Sequence, residues 1–267
     1  KEAISNRMEV IFGKNWKDSP RQIAKQIISA EDKAITLANI QTSTSIEHGV
    51  ANADLVIEAA TENSDIKKKI FTSLDAYAKP DCILATNTSS ISITKIAAVT
   101  KRPGMVIGMH FMNPVPVMQL VEIIPGLLTE KEVTDKVIEI SILLNKTPFV
   151  VSDFPGFISN RILMPMINEA ILSLQEKVAG VNEIDQIMKI GMSHPMGPLQ
   201  LADYIGLDVC LSILNVLKDG FGNPKYAPAV LLINMVKAGK LGVKSGEGFY
   251  QYNDLKKILG ISALFAN

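Results

Sequence analysis

A histidine and a glutamate in the middle of the chain have the types and surroundings of a general acid/base pair. His110 follows the apolar run Met105–Met109, and Glu122 lies inside a second apolar run, Leu120–Ile124. A charged side chain within an apolar run must find a partner, because burying an unpaired charge is costly. A carboxylate beside an imidazole favours the charged ring and fixes its tautomer, which suits proton transfer. The alternative is a surface histidine beside a strand, with an unrelated glutamate.

The segment between these two residues predicts how they could meet. Both apolar runs are typical of buried strands. Asn113, Pro114 and Pro116 interrupt regular structure between the runs, because proline fixes φ and donates no ladder hydrogen bond. A strand, a short proline-containing loop and a returning strand would therefore bring His110 and Glu122 side by side.

The composition limits the classes of function. The 267 residues are 47% hydrophobic, which is enough for one large domain or two ordinary ones. The 27 basic and 27 acidic residues give no net charge, so we expect neither nucleic acid nor a membrane surface as a partner. Cys82 and Cys210 lie in apolar stretches and are interpreted as reduced core residues, and we expect no metal site. No apolar run could span a bilayer, and no signal core is evident, so a soluble, cytoplasmic protein is expected.

Alternating strands and helices from Asp54 onward predict an α/β domain with a largely parallel sheet. The predicted strands are 55–57, which ends in Glu58-Ala59-Ala60, and 82–85, 105–109, 120–124 and 147–151. The predicted helices are 66–77, 93–99 and 130–144. Thr129 and Glu132 have the spacing of a capping box at the start of the last of these helices.

The character of the sequence changes after Asp153. Apolar residues at helical spacing predict one long helix over Phe157–Val178. Further helices are predicted at 184–190, 207–217 and 230–238. No strand candidate appears in this part before residue 240. We therefore expect an α/β domain over residues 1–153 and an all-α domain over residues 154–267.

Polar residues follow the predicted parallel strands at the end where ligands bind in open α/β sheets. They form three clusters, Glu58–Asn63, Asn87–Ser90 and His110–Asn113, and another polar residue, Asn160, lies near the start of the long helix. Taken alone, Asn87–Ser90 could be ordinary turn and N-cap chemistry, and Asn160 could be structural or functional. Because successive strand ends each present amide or hydroxyl groups, we expect the clusters to converge on one crevice.

The start of the chain lacks the glycine pattern of a dinucleotide-binding domain. Such a domain needs Gly-x-Gly-x-x-Gly after its first strand, because only glycine permits the tight turn and the close approach of a pyrophosphate. Gly13 is the only glycine before Gly49. In the same region, Met8–Phe12 could be a strand or part of a helix, and a helix is predicted over Arg21–Ile28.

Five stretches of the sequence resemble one family. They are NTSS at 87–90, GMHFMNPVPVMQLVE at 108–122, PGFISNRILMPMINEA at 155–170, HPMGPLQLADYIGLDVC at 194–210 and KSGEGFYQY at 244–252. All five are similar to segments of the short-chain L-3-hydroxyacyl-CoA dehydrogenases, with the bacterial 3-hydroxybutyryl-CoA dehydrogenases as the nearest branch. The resemblance keeps its register from about Leu37 to Tyr252, and residues 1–20 do not share it.

The resemblance implies a Rossmann-like NAD domain followed by an all-α domain that forms a homodimer. It implies NAD-dependent oxidation of an L-3-hydroxyacyl-CoA to the 3-ketoacyl-CoA, or the reverse reduction, with NADP left open as the cofactor. The catalytic residues that it implies are His110, Glu122, Asn160 and Ser89, of which Ser89 and Asn160 would also contact the substrate. The implied NAD-side contacts are Glu62, Lys67, Asn87 and Asn113.

The family's first strands and glycine turn have no counterpart in residues 1–20. We therefore expect an NAD domain that is incomplete at its N-terminus, and a sequence that is a fragment, since a sheet without its central strands would expose apolar edges. Two other functions stay open at this point. The chain could be a related hydroxyacid or sugar-acid dehydrogenase, or a non-catalytic acyl-CoA-binding protein without a complete NAD site.

Overall fold

The computed structural model of the chain describes residues 29–266. The interpretations of Met8–Phe12, Gly13 and Arg21–Ile28 lie outside these residues. The contacts divide the chain into two compact units, one ending at Phe154 and the other beginning at Pro155. Each unit has its own hydrophobic core.

Residues 29–154 of the first unit form a five-stranded sheet with helices packed against it. The strands, in their order across the sheet, are β1 (Leu55–Glu58), β2 (Ile83–Thr86), β3 (Val106–Phe111), β4 (Leu120–Pro125) and β5 (Thr147–Val150). The strands β1, β2 and β3 are parallel, β4 runs antiparallel to β3, and β5 runs parallel to β4. The helices are α1 (Ala30–Ala38), α2 (Ile46–Val50), α3 (Ser64–Tyr77), α4 (Ile93–Ala97) and α5 (Lys131–Leu143).

Strand alternation builds the core of this unit and decides where His110 and Glu122 point. Alternate residues of β2, β3 and β4 leave the same face of the sheet and pack against α5. The buried members of this layer are Ile83, Ala85, Ile107, Met109, Val121, Ile123, Val133 and Val137. His110 and Glu122 lie between these positions in their strands, so both side chains leave the sheet on the opposite face.

All five predicted strands form, with ends that shift by a residue or two. The predicted capping box is wrong, because α5 takes Glu130 as its N-cap and has no side-chain capping bond. The Thr129 hydroxyl instead donates to the Val106 carbonyl at 2.6 Å and accepts from the Gly126 N–H at 2.8 Å. Thr129 therefore ties the start of β3 to the turn after β4.

Gly108 lets helix α4 approach the strand that carries His110. A Cβ at this position would lie 2.8 Å from Cδ1 of Ile93 and 2.9 Å from Cβ of Ile124. Both isoleucines are buried. Close packing, and not an unusual backbone conformation, therefore requires glycine here.

Replacing Gly108 with alanine should lower the free energy of unfolding by about 1–3 kcal/mol, the usual cost of overpacking a buried site. Thermal or urea unfolding of the chain measures the change. Adding Ile93→Val removes the closest methyl group and should recover part of the loss. An alanine variant as stable as the original chain would contradict this account of the packing.

The second unit consists mainly of helices. They are α6 (Ser159–Gln175), α7 (Val181–Gly191), α8 (Pro198–Ile205), α9 (Leu207–Phe221) and α10 (Val230–Lys237). Two short strands, β6 (Tyr250–Tyr252) and β7 (Ile258–Ile261), form an antiparallel pair. The sequence-based expectation of an all-α domain therefore misses this pair of strands. Strands this short contain too few residues to show the alternation of apolar and polar residues that predicts a strand.

Asp203, on α8, forms hydrogen bonds with residues in and next to β6. Its carboxylate accepts hydrogen bonds from the N–H groups of Phe249 and Tyr250 and from the hydroxyl of Tyr252, each at 3.0 Å. Burial raises the pKa of Asp203 to about 6, against the opposite effect of these three donors. A Cβ at Gly248 would lie 1.9 Å from the carboxylate, so this contact excludes a side chain there.

Asp185 plays a similar part from α7. It accepts the N–H groups of Leu199 at 2.8 Å and Gln200 at 2.9 Å, which are among the unpaired donors of the first turn of α8. The Tyr250 hydroxyl also donates to it at 2.8 Å. Burial raises the pKa of Asp185. Tyr250 thus connects the two buried carboxylates, and the helices and the hairpin are held together.

No single helix among residues 29–266 is both long and apolar enough to cross a membrane. The helices α8 and α9 taken together are long and apolar enough, by length and composition only, and they meet at a bend of 97°. Cys82 and Cys210 are buried free thiols, which confirms their interpretation as core residues. The described part of the chain holds no group of three or more His, Cys, Asp or Glu residues that could bind a metal ion.

Candidate active site

The antiparallel pairing of β3 and β4 sets His110 directly opposite Glu122. Their side chains meet, with Nδ1 of His110 2.7 Å from Oε2 of Glu122. Only 8% of the histidine side chain and 1% of the glutamate side chain are exposed. The predicted contact is therefore confirmed. The carboxylate holds Nδ1 and fixes the ring. That His110 exchanges a proton with a substrate stays a prediction.

His110 stands at the edge of the sheet where β1 and β2 also end. Because the first three strands are parallel, Glu58, Thr86 and His110 all lie at or next to the carboxyl ends of their strands. Asn87, the first residue after β2, accepts the Phe111 N–H at Oδ1, at 3.0 Å. This hydrogen bond ties the ends of β2 and β3 together beside the histidine.

Glu62 shapes the loop that follows β2. Its Oε1 accepts hydrogen bonds from the Thr88 hydroxyl at 2.7 Å and from the N–H groups of Ser89 and Ser90 at 2.9 Å. The Ser90 hydroxyl is a fourth donor, also at 2.9 Å. The half-buried Ser89 is therefore held by its backbone. That Glu62 contacts the cofactor and Ser89 the substrate stays a prediction.

Lys67 is buried with partners of its own. Its Nζ lies 2.6 Å from Oε2 of Glu58, and the two side chains are 1% and 3% exposed. The same carboxylate oxygen accepts the Thr86 hydroxyl at 2.8 Å, and Oε1 accepts the Ala60 N–H at 2.6 Å. The ammonium group thus stabilises the ends of β1 and β2 from inside. Its direct contact with a cofactor stays a prediction, as does that of Asn113, which lies exposed in the loop after β3.

Asn160 belongs to the second compact unit, where it lies buried in the first turn of α6. Its N–H donates to the Gly156 carbonyl at 3.2 Å. Gly156 has a φ of +71°, and a Cβ there would lie 2.6 Å from Cδ2 of Leu217, so only glycine fits. The Arg161 guanidinium lies 4.5 Å from the ring centre of Phe221. Contacts with α9 therefore fix the turn that carries Asn160.

Sequence reasoning does not single out Asp153, which holds the start of α4. Its carboxylate accepts the Ser92 hydroxyl at 2.9 Å, the Ile93 N–H at 3.0 Å, and the N–H and hydroxyl of Thr94 at 2.8 and 2.7 Å. These hydrogen bonds hold Ile93, which packs against Gly108, in position. The acceptor is at least 59 residues away from these donors, so no local pattern could have revealed it.

Two family models match the chain one after the other. The model described as the 3-hydroxyacyl-CoA dehydrogenase NAD binding domain matches residues 3–154. The model described as the 3-hydroxyacyl-CoA dehydrogenase C-terminal domain matches residues 156–252. The chain belongs to the 3-hydroxyacyl-CoA dehydrogenase family. The predicted α/β domain followed by a helical domain is thereby confirmed, with NAD as the cofactor.

Members of this dehydrogenase family are similar to the chain over most of their length. A probable 3-hydroxybutyryl-CoA dehydrogenase of Bacillus subtilis is 57% identical over 214 residues, which are 80% of this chain and 73% of that protein. The 3-hydroxybutyryl-CoA dehydrogenase of Clostridioides difficile is 54% identical over 221 residues, 83% of this chain and 78% of that protein. The crystal structure of (S)-3-hydroxybutyryl-CoA dehydrogenase PaaH1 from Ralstonia eutropha has a TM-score of 0.86 and 51% identity, and covers 89% of this chain and 84% of its own.

The polar groups at the carboxyl ends of β1–β3 lie where open α/β sheets bind their ligands, and they fit the NAD that this family uses. Oδ1 of Asn87 accepts the Phe111 N–H, and its NH2 group makes no hydrogen bond to residues 29–266. In Glu62, a single carboxylate oxygen, Oε1, accepts all four hydrogen bonds. An oriented amide donor and a carboxylate acceptor suit the carboxamide and ribose hydroxyls of a nicotinamide nucleoside.

Proposed function

We propose that the chain interconverts an L-3-hydroxyacyl-CoA and the corresponding 3-ketoacyl-CoA with NAD, and that its substrate is of the 3-hydroxybutyryl type. The observation that carries this proposal is the 2.7 Å contact between His110 and Glu122, because the reaction moves a proton as well as a hydride. Family membership supports the reaction class. The names of the Bacillus and Ralstonia relatives support a short acyl chain.

In the oxidative direction, His110 accepts the proton of the substrate 3-hydroxyl at Nε2 while the C3–H bond breaks. NAD, when bound, would supply the hydride acceptor for the C3 hydrogen. Glu122, which lies 2.7 Å from Nδ1, stabilises the imidazolium that forms. In the reductive direction, the same imidazolium donates its proton to the oxygen on C3.

We assign Ser89 and Asn160 to the substrate side. Both present groups that can hydrogen-bond the substrate oxygens, and both are held by their own surroundings. Glu62 fixes the backbone of Ser89, and the Gly156 turn fixes Asn160. Held groups lose little freedom when a substrate binds, which favours their use in orienting it.

We assign Glu62, Asn87 and Asn113 to direct contact with the cofactor. Lys67 supports the cofactor site indirectly, because its buried ammonium group pairs with Glu58 at the end of β1. These assignments place the NAD-binding function in residues 1–153. The homodimer contact and the substrate contact of Asn160 are then assigned to residues 154–267, whereas Ser89 is assigned to contact the substrate from residues 1–153.

The proposed function is tested by comparing substrates under the same conditions. We expect the full-length enzyme, with a complete NAD domain, to oxidise NADH with acetoacetyl-CoA and to reduce NAD with L-3-hydroxybutyryl-CoA. The absorbance of the reduced nicotinamide follows both reactions. Free 3-hydroxybutyrate and free sugar acids, with NAD, are the controls, and NADPH replaces NADH in a parallel series. Turnover of the free acids without CoA preference would favour the related hydroxyacid dehydrogenase. Binding of acyl-CoA without any turnover would favour a non-catalytic protein.

The second unit is proposed to form the homodimer, and helix α7 supports this. It buries Val181 and Ile184 within the unit, whereas Ile187 and Ile190 are 59% and 80% exposed. Neighbouring apolar side chains that face solvent on a helix are typical of an interface. A chain without net charge also has little self-repulsion to oppose association.

Sedimentation should therefore give twice the mass of one chain, and the double variant Ile187→Lys/Ile190→Lys should sediment as a folded monomer. Two lysines would have to lose their hydration in an apolar interface, which is costly. Leu127→Lys, at an exposed position of the first unit, is the matched control and should stay dimeric. An unmodified chain that remains monomeric at high concentration would remove the basis for this interface.

We propose that the enzyme acts in the cytoplasm, without nucleic acid or membrane as a partner. The equal numbers of basic and acidic residues support this, since a nucleic-acid or anionic-membrane binder usually carries a basic excess. The free thiols of Cys82 and Cys210 suit a reducing compartment. Fractionation of the producing cell, with the enzyme activity followed in each fraction, tests the location.

A further inference from the structure

A lysine outside the predicted site binds the loop between β3 and β4, which comprises residues 112–119. The Lys146 ammonium donates to the carbonyl oxygens of Val115 and Met118, the second at 2.8 Å. These hydrogen bonds are charge-assisted, and such bonds are stronger than those between neutral groups. One side chain therefore holds two points of the loop that joins the strands of the acid/base pair.

The end of α5 places Lys146 next to this loop. Asn145 adopts the left-handed conformation, with φ 56°, and the Lys146 N–H donates to the Ser141 carbonyl at 2.9 Å, which reverses the chain. The next residue, Thr147, donates its N–H to the Gln119 carbonyl at 2.8 Å and begins β5. Lys146 is thus fixed between a helix end and a strand pairing.

Other backbone hydrogen bonds of the loop lie at its end, where Gln119 pairs with Thr147, or within the loop itself. The N–H groups of Val117 and Met118 both donate to the Pro114 carbonyl at 3.0 Å, and these bonds close a turn within the loop. Lys146 is half-buried, and within residues 29–266 its ammonium bonds only the two loop carbonyls. An ammonium without a carboxylate partner can give its donors fully to carbonyl oxygens.

We propose that Lys146 is a positioning residue for the acid/base pair. Glu122 is the third residue of β4, so movement of the loop would displace the start of this strand and the carboxylate that meets His110. Leu120, the first residue of β4, pairs with Thr147, which directly follows the lysine. The catalytic meaning of this contact rests on the proposed function, whereas the position of the two side chains can be measured without turnover.

The test compares Lys146→Met with Lys136→Met, an exposed lysine on α5, in the full chain. The chain has three histidines, so NMR can follow the ring resonance of His110 with His48 and His194 as internal references. We expect Lys146→Met to shift the His110 resonance and leave the other two in place. The Lys136→Met control should shift none of them.

Hydrogen exchange gives a second measurement on the same variants. Loss of the tether in Lys146→Met should speed amide exchange of residues 117–119 by about tenfold, because local opening is governed by such individual contacts. Lys146→Arg should restore both signals, since a guanidinium also offers several donors. In the active enzyme, kcat of Lys146→Met should fall about ten- to a hundredfold with little change in KM for the acyl-CoA, the effect of a misplaced catalytic group.

An unchanged His110 resonance with unchanged loop exchange in Lys146→Met would overturn the proposal, whether or not the chain is active. Failure of Lys146→Arg to restore the signals would overturn it too. If Lys146→Met does not fold, Lys146→Gln is compared with Lys146→Arg, and the same outcomes decide. A shifted resonance in Lys146→Met, together with full activity of His110→Ala, would support the positioning role and overturn the proposed function.

Discussion

Replacing His110 with alanine in the full-length enzyme should lower kcat by about 10²–10⁴-fold, the usual span for a positioned proton-transfer group. NAD affinity should stay nearly unchanged, because the ring acts on the substrate hydroxyl in the proposed mechanism. Steady-state kinetics and a titration with NADH measure the two quantities. His48→Ala is the matched control, since His48 is exposed in α2, and its kcat should equal that of the original chain. A His110→Ala variant with the original kcat would rule out the acid/base assignment.

Glu122→Gln tests whether the carboxylate acts through the histidine. Glutamine keeps the shape but removes the charge that stabilises the imidazolium formed during oxidation, so kcat should fall. The double variant His110→Ala/Glu122→Gln should be little worse than His110→Ala alone, because residues that act as a unit are strongly non-additive. A double loss equal to the product of the single losses would mean that the two residues work independently.

The pair at the centre of this prediction could be found from the sequence for a physical reason. Its two residues lie in neighbouring strands joined by a short loop, so pairing them needs no knowledge of the rest of the fold. The alternation of Ile107 and Met109 against His110 also fixes which face the histidine takes. The apolar runs of β2, β3 and β4 are buried, which is why composition alone marks them as strands.

The supports of the site could not be predicted in this way, because their partners are remote in sequence. Lys146 is 28 residues from Met118, one of the two carbonyls that it binds, and Glu62 is 26–28 residues from the loop that it shapes. Asp153 caps α4 across a still longer separation. Only the folded sheet brings such residues together, since the ends of strands that are distant in sequence meet at one edge.

The second large effect concerns Lys67. The resemblance to the family assigns this residue to the cofactor, whereas in the structure its ammonium group is paired with the buried carboxylate of Glu58. Replacing Lys67 with methionine should lower the free energy of unfolding by about 3–5 kcal/mol. The reason is that the carboxyl group of Glu58, with only 3% of its side chain exposed, would be left buried without its cation. Thr86 and the Ala60 N–H still donate to this carboxylate, but neither carries a charge. Urea unfolding of the chain without cofactor measures the change.

Two further variants separate a structural role of Lys67 from a direct contact with NAD. Adding Glu58→Gln removes the uncompensated charge and should make Lys67→Met/Glu58→Gln more stable than Lys67→Met alone, because neutralising both partners of a buried pair costs less than removing one. Lys68→Met, at the neighbouring and more exposed position, should change stability by less than about 0.5 kcal/mol, as its pairing with Asp65 lies at the surface. The opposite outcome is a Lys67→Met variant with the free energy of unfolding of the original chain and weaker NADH binding. The ammonium group would then contact the cofactor, and its pairing with Glu58 would not be what stabilises the ends of β1 and β2.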